Sequence, residues 1–183
     1  MVGSAHSCGL RPDGSSHCWG ANNYGQSAAQ PDERFVQLAA GRGHTCGLRA
    51  DGTSHCWGTD DNGQRADQPG ELFVQLVAGD SHTCGLRPDG SSHCWGYDAY
   101  GQSADQPGER FVQLTAGQYH TCGLRADGSS HCWGYDSYGQ TAEQPGEAFV
   151  QLAAGGSHTC GLRADGTAVC WGASSQGQTS SPW

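Results

Sequence analysis

Ten cysteines and the histidines beside them are the residues whose types and spacing could do chemistry. Each cysteine pair follows the pattern H-x-C-x9-C, as in HTCGLRADGTSHCWG at residues 44–58, and a tryptophan follows the second cysteine. Such residues could bind zinc, cycle between thiol and disulfide, or simply link two strands. The pairs are Cys8 and Cys18, Cys46 and Cys56, Cys84 and Cys94, Cys122 and Cys132, and Cys160 and Cys170.

The spacing favours a structural disulfide over the two reactive roles. Zinc sites usually contain a short C-x2–4-C unit, which is absent from this sequence. A second histidine of the stretch, His55, falls on the opposite strand face, and its counterpart in the last unit is Val169. The sequence has no C-x-x-C motif, and the cysteines lack the basic surroundings that would lower a thiol pKa. Zinc stays open as the alternative if the compartment keeps thiols reduced. The H-x-C histidines are interpreted as packing or hydrogen-bonding residues.

The cysteine pairs mark an internal repeat of 38 residues without insertions. Each full unit starts with a short apolar run, FVQL, which is typical of a strand. Two further stretches flank an Asp-Gly turn, where glycine supplies the positive φ of a hairpin. No sustained period of 3.6 residues is present, so we expect essentially no helix. The repeat therefore predicts three antiparallel strands per unit.

Counting outward from the turn predicts the hairpin register. If Arg49 faces Thr53, Cys46 faces Cys56 as a close pair, with Cα atoms about 4.5 Å apart. That separation can be bridged by a disulfide. Leu, Val and Phe together number only 21 of 183 residues. We therefore expect one disulfide per unit to supply stability that a small aliphatic core cannot.

The consensus AAGxxHTCGLRADGxxxCWGxxxxGQ resembles the repeat of the regulator of chromosome condensation family. The 38-residue length is closer to the β-lactamase inhibitory protein branch, whose blades have three strands. The resemblance implies a β-propeller with an exchange-factor, inhibitory or general binding role. Two features depart from the family: the paired cysteines, and five units rather than the usual seven. We expect an all-β, five-bladed propeller with three-stranded blades, forming a single domain over residues 1–183.

The sequence does not contain five complete repeats, and this affects how the ring can close. The chain lacks the last seven positions of a fifth full repeat, which correspond to residues 146–152 and include FVQL. We expect the ring to close between the two termini. Either residues 180–183 bridge the gap, with Trp183 replacing the missing phenylalanine, or one blade lacks its inner strand.

Charge and composition limit the possible partners. The net charge is −9, and all nine basic residues are arginine, which argues against a nucleic-acid surface. No apolar stretch is long enough to span a membrane. Residues 1–10 lack the charged and apolar regions of a signal peptide, yet the cysteine content predicts an extracellular or periplasmic protein. We expect a monomer without a metal or another cofactor.

The units differ mainly in two segments, one after A-G and one after W-G. Strand direction places both segments on one rim, away from the Asp-Gly turns. All six tyrosines lie in these segments. Tyrosine gives a large contact area at low entropic cost, so the rim is a candidate binding face. The candidate ligand-binding residues are Tyr24, Asp60, Tyr97, Asp98, Tyr100, Tyr119, Tyr135, Asp136 and Tyr138.

Nearly identical units argue against catalysis, which needs unlike residues that converge on one point. The sequence therefore predicts a non-catalytic module that binds a protein or a glycan through the variable rim. The alternative is a structural or engineered repeat scaffold with no specific ligand. A metal bound by the acidic loop at residues 59–62 is a weaker hypothesis, because its match to a calcium loop is short.

Overall fold

The computed structural model describes residues 3–180, which form five antiparallel sheets in sequence order. Each sheet is one blade of a five-bladed β-propeller. Blade 1 contains β1 (His6–Leu10) and β2 (Ser16–Gly20). Blade 2 contains β3 (Gln37–Ala40), β4 (His44–Leu48) and β5 (Ser54–Gly58). Blade 3 contains β6 (Gln75–Ala78), β7 (His82–Leu86) and β8 (Ser92–Gly96).

The last two blades repeat this three-stranded pattern. Blade 4 contains β9 (Gln113–Ala116), β10 (His120–Leu124) and β11 (Ser130–Gly134). Blade 5 contains β12 (Phe149–Ala154), β13 (His158–Arg163) and β14 (Ala168–Gly172). The part of the chain described here has no helix, and so none that is long and apolar enough to cross a lipid bilayer.

The hairpin register agrees with the prediction in all five blades. In blade 2, Cys46 lies directly opposite Cys56. All five disulfides are formed, with Cα–Cα distances of 4.0–4.1 Å. The turn also agrees, because Gly52 has a φ of 87°. The side chain of Asp51 accepts hydrogen bonds from the backbone amide and the hydroxyl of Thr53, which holds the turn closed.

The apolar cores lie between the blades. At the boundary of blades 2 and 3, Cys46 and Cys56 pack with Phe73, Leu76 and Trp95. The three other boundaries between consecutive blades contain equivalent clusters. The disulfides of blades 1 to 4 therefore do two things. Each links its own hairpin, and each forms part of the apolar surface on which the next blade packs.

A phenylalanine ring covers the glycine of the C-G-L sequence in blades 2 to 5. A Cβ atom on Gly85 would collide with the ring of Phe73, which stacks on Trp95 at a centroid distance of 5.7 Å. The phenylalanine reaches this position because it lies at or just before the start of the inner strand of the same blade. The tryptophan stacks beside it and packs against the disulfide of the preceding blade.

Blade 1 differs from the others because its sheet has two strands within residues 3–180. Trp19 is consequently 54% exposed, whereas its four counterparts are 5–8% exposed. In blade 5, the last of the five consecutive blades, Cys160 and Leu162 are only partly buried. A missing inner strand was one of the two expected outcomes. The other involved Trp183, which lies outside the described residues.

Candidate binding surface

Two loops of each blade meet at one end of the propeller, which we call the top rim. The G-x-x-H loop leads into the strand with the first cysteine, and the W-G loop follows the strand with the second. A backbone hydrogen bond joins them, as from Tyr97 to Ser81 and from Tyr135 to Tyr119, both 2.8 Å. The Asp-Gly turns lie at the opposite end, the bottom rim. The two variable segments are thus direct neighbours.

The W-G loops are held in shape by their own side chains. In blade 3, Asp98 Oδ1 accepts a hydrogen bond of 2.8 Å from the Ser103 backbone amide. The buried Gln102 accepts one of 3.0 Å from the backbone amide of Tyr100. Asp136 bonds the equivalent amide in blade 4. One oxygen of Asp98 and one of Asp136 therefore stabilise the rim itself.

A ladder of histidines and threonines connects neighbouring blades beneath the top rim. His44 Nε2 lies 3.0 Å from the hydroxyl oxygen of Thr83, and that hydroxyl donates to the backbone carbonyl of Gln64 at 2.8 Å. Because the single hydroxyl proton goes to the carbonyl, Nε2 must be the donor in the first bond. The same arrangement repeats for His6, His82 and His120 with Thr45, Thr121 and Thr159.

These histidines are neutral at physiological pH. Burial lowers the pKa of His44 to about 4, with a smaller effect from the neighbouring His6. Burial also lowers the pKa of His82 to about 3 and that of His120 to about 4. The Nδ1 atoms of all three have no hydrogen-bond partner among residues 3–180. The ladder therefore has the structural role that the sequence assigned to the H-x-C histidines.

Five of the six tyrosines form one continuous group on the top rim of blades 3 and 4. We call it the tyrosine cluster: Tyr97, Tyr100, Tyr119, Tyr135 and Tyr138. The closest ring centroids are those of Tyr100 and Tyr135, 4.9 Å apart, and neighbouring centroids elsewhere in the cluster are 5.6–6.4 Å apart. All six of these pairs are tilted or edge-to-face, and edge-to-face packing is among the geometries that aromatic rings prefer.

The tyrosine cluster remains open to solvent although its members contact one another. Tyr100 and Tyr138 are 47% and 58% exposed, while the other three are partly buried. Desolvation, followed by the effect of the nearby hydroxyls of Tyr100 and Tyr119, raises the pKa of Tyr97 above its ordinary value. The cluster is therefore an exposed, uncharged aromatic surface.

The remaining predicted site residues lie apart from the cluster. Tyr24, on blade 1, is 62% exposed and lines a separate cavity. Asp60, on blade 2, accepts a hydrogen bond from the Arg65 backbone and lies 3.5 Å from the Arg65 guanidinium. The structure thus brings together Asp98, Asp136 and five tyrosines, but neither Tyr24 nor Asp60.

Charge is distributed unevenly between the two rims. Seven of the nine arginines lie near the Asp-Gly turns or the start of the inner strands, at the bottom rim: Arg11, Arg34, Arg49, Arg87, Arg110, Arg125 and Arg163. Four of these bond a glutamate of the preceding loop. The described top rim of blades 3 and 4 carries Asp80, Asp98 and Asp136 without an arginine. The tyrosine cluster therefore lies in an acidic region.

Sequence reasoning assigned no individual role to three polar residues of the G-x-x-H loops. Arg42, Asp80 and Gln118 line a cavity of about 580 Å³ around the axis. Gln118 Nε2 donates to Asp80 Oδ2 at 2.9 Å, and the backbone of Arg42 donates to the Asp80 carbonyl at 3.2 Å. The residue type at this repeat position differs between units, as it does at the tyrosine positions. This variation is the sequence signal that could have identified the three residues.

The described residues offer no set of donors for a metal ion. Within residues 3–180, no group of three His, Cys, Asp or Glu side chains converges. All ten cysteines are in disulfides, which rules out zinc thiolate coordination by these pairs.

The regulator of chromosome condensation (RCC1) repeat model matches residues 2–26, 35–64, 73–102, 111–140 and 149–178. These segments cover most of the chain. The chain belongs to the RCC1 repeat family. No curated protein sequence shows significant similarity to it.

Solved structures resemble this RCC1-repeat chain over nearly its whole length. The ectodomain of the Physcomitrella patens receptor kinase CR4 is 31% identical, with a TM-score of 0.82 over 95% of this chain and 51% of that one. The CRINKLY WD40 ectodomain of Arabidopsis thaliana ACR4 is 30% identical, with a TM-score of 0.80 over 98% and 64%.

A more distant relative shares the fold alone. Prp20p from Saccharomyces cerevisiae is 21% identical, with a TM-score of 0.80 over 93% of this chain and 56% of that one. Prp20p is described by its binding properties to Gsp1p and histones. The RCC1-repeat chain spans about half to two thirds of the length of these three proteins.

Proposed function

We propose that the protein is a non-catalytic binding module that recognises a partner protein through the tyrosine cluster. The observation that carries this proposal is the exposed group of five tyrosine rings in contact on one rim. Clustered tyrosines with rigid neighbours are typical of binding hot spots. The loops are already fixed by Asp98, Asp136 and Gln102, so little entropy is lost when a partner binds.

The partner that suits this surface carries a positively charged segment. The second carboxylate oxygens of Asp98 and Asp136 accept no hydrogen bond from residues 3–180. Tyrosine faces attract cations, and lysine or arginine side chains can therefore contact rings and carboxylates together. The net charge of −9 favours the same class of partner through long-range attraction.

We place this function outside the cell and in a single, monomeric domain. Five disulfides favour an oxidising compartment, and two similar structures are receptor ectodomains. Prp20p, described as binding proteins, supports recognition as a role compatible with this fold. The continuous series of shared cores between blades supports treating residues 1–183 as one domain.

Peptide selection tests the proposal without a known partner. A phage library of random 15-residue peptides is selected on the wild type and counter-selected on Tyr100→Ala/Tyr135→Ala. We expect arginine- and lysine-containing peptides whose affinity falls at least about tenfold in that variant, since central tyrosines contribute roughly 2 kcal/mol. Tyr24→Ala is the matched control, because it occupies the position of Tyr100 in blade 1.

The control separates loss of the surface from loss of the fold. Peptides should bind the Tyr24→Ala variant as tightly as the wild type, and all three proteins should keep five disulfides and similar melting temperatures. If selection yields no peptide that distinguishes the wild type from the double variant, the proposal is wrong. The scaffold interpretation would then be the better one.

A further inference from the structure

On the other half of the top rim, a cavity of about 500 Å³ opens between the loops of blades 1, 2 and 3. This volume lies within the range of about 300–1,000 Å³ that is usual for ligand pockets. It does not include the tyrosine cluster, and it does not depend on the function proposed for that cluster.

The cavity exists because small residues replace tyrosines at equivalent positions. Blade 4 has Tyr119 and Tyr135 where blade 2 has Gly43 and Thr59, and blade 3 has Tyr97 where blade 1 has Ala21. We use notch for the space between the top-rim loops of two neighbouring blades. The rings of these tyrosines fill the notch between blades 3 and 4. The notch between blades 1 and 2 contains only one such ring.

That remaining ring, Tyr24, forms an aromatic wall. It is 62% exposed, and a Cβ atom on Gly43 would lie 3.5 Å from its Cδ2 atom. The ring therefore lies close to the Gly43 backbone, and its exposed part offers a flat apolar surface to the cavity. Such a wall can pack against a flat, weakly apolar ligand face.

Positively charged, negatively charged and neutral polar side chains complete the lining. The side chain of Arg42 has no ion pair or side-chain hydrogen bond among residues 3–180. Asp61 accepts a hydrogen bond of 2.9 Å from Thr59, and Asp80 accepts one from Gln118. The amide of Asn62 adds a donor and an acceptor.

We propose that this cavity binds a neutral sugar. A simple anion would be repelled by Asp61 and Asp80, and a simple cation by Arg42. A sugar has neighbouring hydroxyls that donate to the carboxylates and accept from the guanidinium. Its ring also has a C–H face that packs on Tyr24. A neutral polyhydroxy ligand can therefore interact with every group of the lining, whereas an ion would be repelled by at least one charged side chain.

Ligand-observed NMR with defined probes tests this inference. The neutral probes are glucose, galactose, mannose, fucose, N-acetylglucosamine, lactose and sucrose, each at millimolar concentration. Methylguanidinium and inorganic phosphate serve as the cationic and anionic probes. We expect saturation transfer to at least one neutral sugar, with a titratable millimolar or stronger affinity.

Two variants assign binding to the cavity. Tyr24→Ala removes the aromatic wall, and Thr59→Tyr fills the notch with the residue that blade 4 already has at this position. Each should weaken sugar binding at least tenfold. Tyr138→Ala, which alters the tyrosine cluster, should leave sugar binding unchanged. Melting temperature and five intact disulfides verify that each variant is folded.

The inference is overturned if no neutral sugar shows saturation transfer. It is also overturned if the binding persists in both cavity variants, or if methylguanidinium or phosphate binds there in place of a sugar. Peptide binding to the tyrosine cluster is measured separately on the same variants. Failure of either site therefore leaves the result for the other unaffected.

Discussion

Mild acid should destabilise the protein through the histidine ladder. His44, His82 and His120 are buried, and each donates from Nε2 to a threonine of the next blade. A second proton would have to enter at Nδ1, where no described group accepts a hydrogen bond. The folded state therefore resists protonation, whereas the unfolded chain takes up a proton at each histidine near pH 6.5.

The size of the effect follows from the pKa values. Folded-state pKa values of about 4, 3 and 4 lie below the unfolded value of 6.5. Between pH 6.5 and pH 4 the unfolded state binds more protons, so stability is complete above this window and falls as the pH falls. Each histidine contributes about 1.4 kcal/mol per pH unit, hence about 4 kcal/mol per unit for three. The loss at pH 5 is about 6 kcal/mol, comparable with the stability of many domains.

Urea unfolding at pH 7, 6 and 5 with disulfides intact measures this dependence. Replacing His82 by glutamine keeps a side-chain amide donor but removes one titrating group, so the slope should fall to about 3 kcal/mol per pH unit. The same change at the exposed His17 is the control and should preserve the wild-type slope. Carboxylates whose pKa is lowered in the folded protein, such as Glu33 with an ordinary pKa of 4.5, change the stability mainly at pH values below the range of this measurement. A pH-independent stability between pH 7 and 5 would refute the reasoning.

Three further predictions concern the boundaries between blades. Gly85→Ala should destabilise the protein by about 2 kcal/mol or more in urea unfolding, because the new methyl group collides with a phenylalanine ring. Gly9→Ala should be nearly neutral, since the closest ring atom would be 4.0 Å away. Thr83→Val should cost about 2–3 kcal/mol, because a buried histidine and a buried carbonyl lose their partner. Replacing Cys84 and Cys94 together by serine should cost about 3 kcal/mol, and the mass gained on full reduction should fall from that of five disulfides to that of four.

Local geometry explains why the disulfides could be predicted from sequence. A hairpin of fixed register needs only the turn and the alternation of residues, and both are visible in the repeat. The shared rim of the variable loops also followed from strand direction alone. These features depend on residues close together in sequence, so a single unit was sufficient to predict them.

Contacts between blades were harder to predict because they join residues about one repeat apart. His44 bonds Thr83, 39 positions away, and nothing in one unit identifies that partner. The position of Phe73 over Gly85 also depends on how the inner strand packs across its sheet. Within the candidate surface, sequence placed Tyr24 with the other tyrosines, although it belongs to a cavity two blades away from the centre of the cluster.

The division of the top rim into two halves follows from three positions of a repeat whose core is constant. These positions are occupied by Ala21, Tyr24 and Gly43 at one boundary, and by tyrosine at all three at another. The ladder, the disulfides and the phenylalanine packing lie beneath the rim and are the same at both boundaries. Because these supports do not involve the three side chains, a notch can be filled or emptied without removing a blade contact. The same fold can therefore present an aromatic surface on one side and a polar cavity on the other.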